Sequence, residues 1–258
     1  MKINSLVRAA GLTCLLPLLQ SITAEAAELK VLSAIAMQKT VEDLGPKFEQ
    51  TTGHKLTIEF ATLGTIVKRV QGGDTVDVVI APQQGIDTLV KDGKAVAGNV
   101  TELARTGISV AIRKGAPRPD ISSPEALKRT LLAAKSISFT PPAGGGASGI
   151  HFANVLDRLG IADQMKSKTV FPKTVAVGAV IANGEAEIGV QQNQELVSVA
   201  GIEIIGPLPG DLQATIVLSA AIMTSAKDAV ASKALIDFMR TPEAAMIIKE
   251  KGMEPANP

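Results

Sequence analysis

The chain has 258 residues, 46% of them apolar and 20% charged, with a formal net charge of +1. That balance leaves no basic stripe for nucleic acid, and the absence of Trp and Tyr removes the usual platforms for stacking bases or sugar rings. Two His and one Cys give no expectation of a zinc site, and no metal or other cofactor is expected.

Residues 1–26 have the order of an export signal. Lys2 and Arg8 form a basic start, an apolar core runs from Ala9 to Leu19, and Thr23-Ala24-Glu25-Ala26-Ala27 offers a small-residue site for cleavage after Ala26. The apolar core is too short for a permanent membrane anchor. Cleavage takes Cys14 with it, so a periplasmic, monomeric, disulfide-free protein is expected.

Short β-rich runs then alternate with helical patterns. Lys30-Val31-Leu32-Ser33-Ala34 is the first predicted strand; Val41, Leu44 and Phe48 recur at helical spacing, and Gly53 closes that helix. Leu56, Ile58 and Phe60 alternate as a second strand, with Ile66, Val67 and Val70 in the helix that follows. A third strand runs from Val76 to Ala81, interrupted by Asp77, and Ile86, Leu89 and Val90 mark a helix that Gly93 ends. Ile108 to Ile112 is a strand leading through Pro117 and Pro119 into a new unit. Ser123-Pro124-Glu125 has the cap, the proline and the acidic first turn of a helix start. A strand from Ser136 to Phe139 precedes a Gly-rich turn and a helix carrying Ile150, Phe152, Val155, Leu156 and Leu159. Further predicted elements are a helix near Val177 to Asn183 and strands at Ile188 to Gln191 and Ile202 to Ile205. A long buried strand from Thr215 to Met223 and two amphipathic helices, Ala229 to Phe238 and Pro242 to Lys249, complete the chain.

This alternation predicts an α/β fold of two lobes, each a mostly parallel sheet flanked by helices. The proline-marked breaks near 107–120 and 206–215 are placed as two hinge crossings. They divide the chain after the signal into one lobe of residues 27–107 and 216–258 and a second of residues 108–215, with a cleft between them.

Four loop-to-helix junctions point toward such a cleft: Ser33 to Met37, Ala61 to Thr65, Gly144 to Gly149, and Thr174 to Val177. Each opens a helix whose free backbone N–H groups favour an anion. The candidate ligand-binding residues are therefore Ala36, Met37, Thr62, Leu63, Gly64, Thr65, Ser148, Gly149 and Val175, joined by the amides Gln191 and Gln192 at a strand end. The Gly-rich segment is not a P-loop, because no Lys-Ser/Thr pair follows it. His151, opening the next helix, is the candidate proton donor or acceptor.

Four passages carry a family resemblance: Val31-Leu32-Ser33-Ala34, Phe60-Ala61-Thr62-Leu63-Gly64-Thr65, Val76-Asp77-Val78-Val79-Ile80-Ala81 and Asn183-Gly184-Glu185-Ala186-Glu187-Ile188-Gly189. With the closing Lys251-Gly252-Met253-Glu254-Pro255, they make the chain resemble the periplasmic molybdate-binding proteins of ABC transporters, which have a type II two-lobed solute-binding fold. The resemblance implies an anionic ligand and an inner-membrane ABC permease as partner. In that family two serine hydroxyls, one at each of the first two helix starts, and a tyrosine hold the oxyanion. Ala36 and Leu63 stand at those serine positions here, and no tyrosine lies near Gln191 and Gln192. The expected ligand is accordingly a di- or tricarboxylate rather than molybdate or tungstate. Other members of this branch resemble aconitate isomerases, which implies an alternative: cofactor-free interconversion of trans- and cis-aconitate by an allylic proton shift.

Overall fold

The computed structural model describes residues 26–173 and 176–256; of the predicted signal, only Ala26 lies among them. Strand β1 (Glu28–Ala34) passes through a 3-10 turn (Ile35–Met37) into helix α1 (Gln38–Thr52). β2 (Lys55–Ala61) leads into α2 (Leu63–Gln71), and β3 (Val78–Pro82) into α3 (Gln83–Lys91). The long β4 (Ala95–Thr106) is followed after Gly107 by β5 (Ile108–Arg113), α4 (Pro124–Ala133) and β6 (Ile137–Phe139). Helices α5 (Ala147–Arg158), α6 (Ala162–Lys166) and α7 (Val177–Ala182) precede β7 (Ile188–Gln192), α8 (Asn193–Val197) and β8 (Ile202–Pro207). The chain closes with β9 (Ile216–Met223), α9 (Ala229–Phe238), α10 (Pro242–Glu250) and β10 (Glu254–Pro255).

Two sheets result, a six-stranded one in the order β10-β4-β9-β3-β1-β2 and a four-stranded one in the order β6-β7-β5-β8. Fully buried Leu29, Leu32, Phe48, Ile66, Ile80, Ile86 and Leu89 fill the space between the first sheet and its helices. In the second, Phe139 meets Phe152 and Phe171 edge-on, at centroid distances of 5.1 and 5.3 Å. The α/β two-sheet architecture agrees with the sequence pattern, but the expectation of mostly parallel sheets needs correction. Parallel pairing is confined to β2-β1-β3 and β6-β7; every other pair runs antiparallel. The cause lies in the crossings between sheets. β4 leaves the first sheet and β9 returns to it beside β4, so the two neighbours must run in opposite directions. β5 and β8 meet the same constraint in the second sheet.

Local signals explain several element ends. Ser123 caps α4, its side chain accepting from the Ala126 N–H at 3.1 Å. Gly53 ends α1 in the left-handed region at φ 79°. Asp77, the acidic residue at the entry to β3, is buried and works as a staple. Its Oδ2 accepts from the Lys30 N–H at 2.8 Å and its Oδ1 from the Lys227 N–H at 2.7 Å. Each charge-assisted bond contributes about 1.5–3 kcal/mol, so Asp77→Ala is expected to lower the unfolding free energy by about 3 kcal/mol in urea titrations. A loss near zero would mean that the staple is redundant.

The two crossings are tied together at Ile108, whose carbonyl accepts from the Leu208 N–H at 3.0 Å. The Gln213 amide accepts from the Ile108 N–H at 3.1 Å and donates to the Ile108 carbonyl at 3.0 Å, mimicking a strand neighbour.

Candidate functional site

Carboxyl ends of strands from both sheets meet around a small pocket. Ala34, Ile35 and Ala36 line it after β1, Ala61, Thr62 and Leu63 after β2, and Pro82 at the end of β3. The second sheet contributes Thr140, Gly146, Ala147 and Ser148 around the start of α5, with Gln192 and Glu195 from the end of β7 and α8. Strand ends of this kind are where open α/β sheets bind ligands. The enclosed volume is about 30 Å³, and none of these lining residues is Lys, Arg or His.

The junctions are built locally. Thr62 caps α2: its hydroxyl accepts from the Thr65 N–H at 3.4 Å and lies 3.0 Å from the Thr65 hydroxyl. The first turn of α5 lies directly on the end of β6. A Cβ at Gly149 would fall 2.0 Å from the Thr140 carbonyl oxygen, so no other residue fits there. Across the mouth, the Gly64 N–H donates to the Gly145 carbonyl at 3.2 Å. Gly145 holds φ +71°, and a Cβ on it would lie 2.6 Å from the Gly64 Cα. The two sheets' loops therefore touch backbone to backbone over the pocket.

The amide run after β7 is engaged in holding the site. Gln191 Nε2 donates to Glu195 Oε2 at 2.5 Å and Gln192 Nε2 to Glu195 Oε1 at 2.8 Å. Asn193 Nδ2 donates to the Gly252 carbonyl at 2.9 Å, next to the C-terminal strand. Gln194 is buried, accepts from the Thr106 hydroxyl at 2.6 Å and donates to the Ala36 carbonyl at 3.4 Å. Glu195 itself has no ion-pair partner among the described residues. Burial pushes its carboxyl up to about 7, and the opposing pull of the Gln191 and Gln192 amides does not undo this. The pocket thus holds an acid that trades its proton near neutral pH.

Three of the four predicted junctions come together here. Ala36, Thr62, Leu63, Ser148 and Gln192 line the pocket. Gly64 and Gly149 shape it through close backbone approaches, and Thr65 supports Thr62. Met37 is fully buried in the core, and Gln191 touches the acid from outside the pocket wall. Val175 lies outside the described residues. His151 is not on the pocket wall: its Nε2 is 2.8 Å from the Leu212 carbonyl, to which it donates, pinning α5 to the second crossing. The ring of the candidate His151 is thus held by a carbonyl far away in sequence, on the second crossing and not on the pocket wall. Glu195 was not among the predicted site residues. The one available signal is its place in the first turn of the short helix that follows the strand-end amides.

Comparison with known proteins gives a consistent picture. Residues 29–254 match the family described as bacterial extracellular solute-binding protein. The chain is 33% identical over 233 residues to an aconitate isomerase of a Pseudomonas species, covering 88% of this chain and 87% of that protein. It is 30% identical over 237 residues to the molybdate-binding protein ModA of Azotobacter vinelandii, covering 89% and 90%. The solved structure of an Azotobacter vinelandii periplasmic molybdate-binding protein superposes with a TM-score of 0.69 at 22% identity, covering 89% of this chain and 99% of that one.

Proposed function

The chain belongs to the bacterial extracellular solute-binding protein family, and from that membership we propose that it encloses a small carboxylate anion between its two sheets. The carrying observation is Glu195 on the pocket wall, with a carboxyl pushed up to about 7. A protonated carboxyl donates its O–H to a carboxylate oxygen and can share the proton with it. The start of α5 adds backbone N–H groups, and the starts of α2 and α5 the positive ends of two helix dipoles. A fully ionised tetrahedral oxyanion gains less here, because Ala36 and Leu63 bring no hydroxyl to it. In this reading the two crossings, near 106–108 and 208–215, are the hinge of an exported protein that hands its ligand to a membrane permease.

A second reading has support from the same residue. The similarity to an aconitate isomerase and an acid poised near neutrality fit a proton shift carried out inside the closed pocket. The step balances without a cofactor: a proton leaves the methylene carbon, the double bond moves by one position, and a proton returns to the other end of the allylic unit. Glu195 is suited to both transfers, since one group with a value near the working pH can take and return a proton.

Two measurements test these readings. Di- and tricarboxylates are expected to raise the melting temperature of the purified protein, as a ligand bound only by the folded state does, and molybdate is expected to raise it less. Strong stabilisation by molybdate with none by any carboxylate would sink the proposal. Incubation with trans-aconitate, followed by chromatography for the cis isomer, separates enzyme from binder: binding without conversion leaves the protein a carrier.

A further inference from the structure

We propose that the ligand site has a second chamber, on the far side of Glu195 from the inner pocket, which receives a further carboxylate of a di- or tricarboxylate. This rests on the carboxylate reading above. A cavity of about 240 Å³ lies beside the 3-10 turn, the first turn of α1 and helix α8, and shares Ile35, Ala36 and Glu195 with the inner pocket. Glu195 is the partition between the two. Its carboxyl is clamped by Gln192, which lines the inner pocket, and by Gln191, which lines the outer cavity.

Size argues for joint use of the two spaces. A single water needs roughly 10–15 Å³ by this measure. The inner pocket, at about 30 Å³, holds little more than one carboxylate group. An acid with two or three such groups has to extend beyond it, and the shared wall leads into the outer cavity.

The outer cavity also carries an unmet hydrogen-bonding group. Thr40 is only 1% exposed and borders the cavity, yet its buried hydroxyl has no partner among the described residues. A helical threonine commonly bonds the carbonyl four residues back; here that carbonyl belongs to Ala36 and accepts from Gln194 instead. Lys39 and Lys251 stand on the same wall and supply the positive charge that the inner pocket lacks. Lys39 is paired with Glu42 at 3.2 Å and Lys251 with Asp43 at 2.5 Å. Neither acid lines the cavity, and ion pairs this close to solvent exchange partners at little cost. The chamber therefore offers two ammonium groups, with the buried Thr40 hydroxyl just beneath its wall, to a carboxylate whose sister group sits beyond Glu195.

The test is calorimetric titration with acetate, which has one carboxylate, and tricarballylate, which has three and cannot isomerise. Wild-type protein is expected to bind tricarballylate on the order of 10²-fold more tightly than acetate, from the added charge-assisted contacts. Lys251→Met is expected to weaken tricarballylate about tenfold and leave acetate within about twofold. Thr40→Val, which keeps the shape, should weaken tricarballylate several-fold, and Lys39→Met reads the same difference without touching the C-terminal segment. Wild-type affinity for tricarballylate in all three variants, or equal losses for both acids, overturns the second chamber while the carboxylate reading stands. Failure of every carboxylate to bind wild-type protein, with molybdate binding, removes the reading itself and the chamber with it.

Discussion

Glu195→Gln is expected to lower any turnover of trans-aconitate by on the order of 10²–10⁴-fold, the usual loss when a positioned acid–base group goes. It is also expected to flatten the pH dependence of carboxylate binding. In the wild type, a proton on Glu195 lets it donate to the bound carboxylate; once ionised, it repels it. Affinity should therefore fall as pH rises through about 7, approaching tenfold per pH unit above that point. Stability without ligand carries the same signature. Between the ordinary glutamate value of 4.5 and about 7 the folded protein keeps a proton that the unfolded chain releases. The wild type accordingly loses stability as pH rises through that window, by up to about 3 kcal/mol. The glutamine variant should lack this loss and be the more stable protein in mildly alkaline urea titrations. A variant that keeps the wild-type pH profiles of binding and stability would remove Glu195 from the site.

Gly145→Ala is expected to weaken carboxylate binding on the order of 10²-fold, with a change of only a few degrees in melting temperature. The added Cβ would lie 2.6 Å from the Gly64 Cα and 2.8 Å from the Gly64 nitrogen. Both are backbone atoms, so no rotamer relieves the overlap; the two loops have to separate. Binding then draws on a smaller closed population, which scales the apparent affinity down by that fraction. Left-handed strain, about 1–2 kcal/mol for alanine, is a second cost of the change. Gly145→Asn separates the two, since asparagine tolerates that backbone but still carries the Cβ, and it should bind as poorly as the alanine variant. Gly144→Ala meets nothing within 4 Å and should bind like wild type. Small-angle scattering should show a larger radius for both Gly145 variants; recovery of binding in Gly145→Asn would reject the steric account.

Features set by neighbours in sequence were readable before the structure. The cap at Ser123, the turn at Gly53, and the alternation of strand and helix through the first lobe all depend on a few adjacent residues. β4 escaped because most of its first eight residues are exposed or half-exposed, and its ladder with β9 shifts register twice. It therefore shows no clean period of two. The insertion of β9 between β3 and β4 is a pairing across more than a hundred residues, which no local pattern encodes. The site divides in the same way. The helix starts at Thr62 and Ser148 announce themselves through small and capping residues. Glu195 does not, because its raised carboxyl value comes from burial in the folded chain, and the amides that drew attention in the sequence stop at Gln192. His151 is the reverse case: a suggestive residue whose ring is taken by the turn at Leu212.

The Gln213 amide across Ile108 has a mechanical meaning for the molecule. Two loose straps between two plates permit twisting and sliding as well as swinging. Bolting one strap to the other at a single peptide removes most of that play, because a shear of one crossing past the other would break both bonds at once. If the two plates swing as proposed above, the motion left to them is rotation about one axis, and each closure would return Gly145 to the same spot over Gly64.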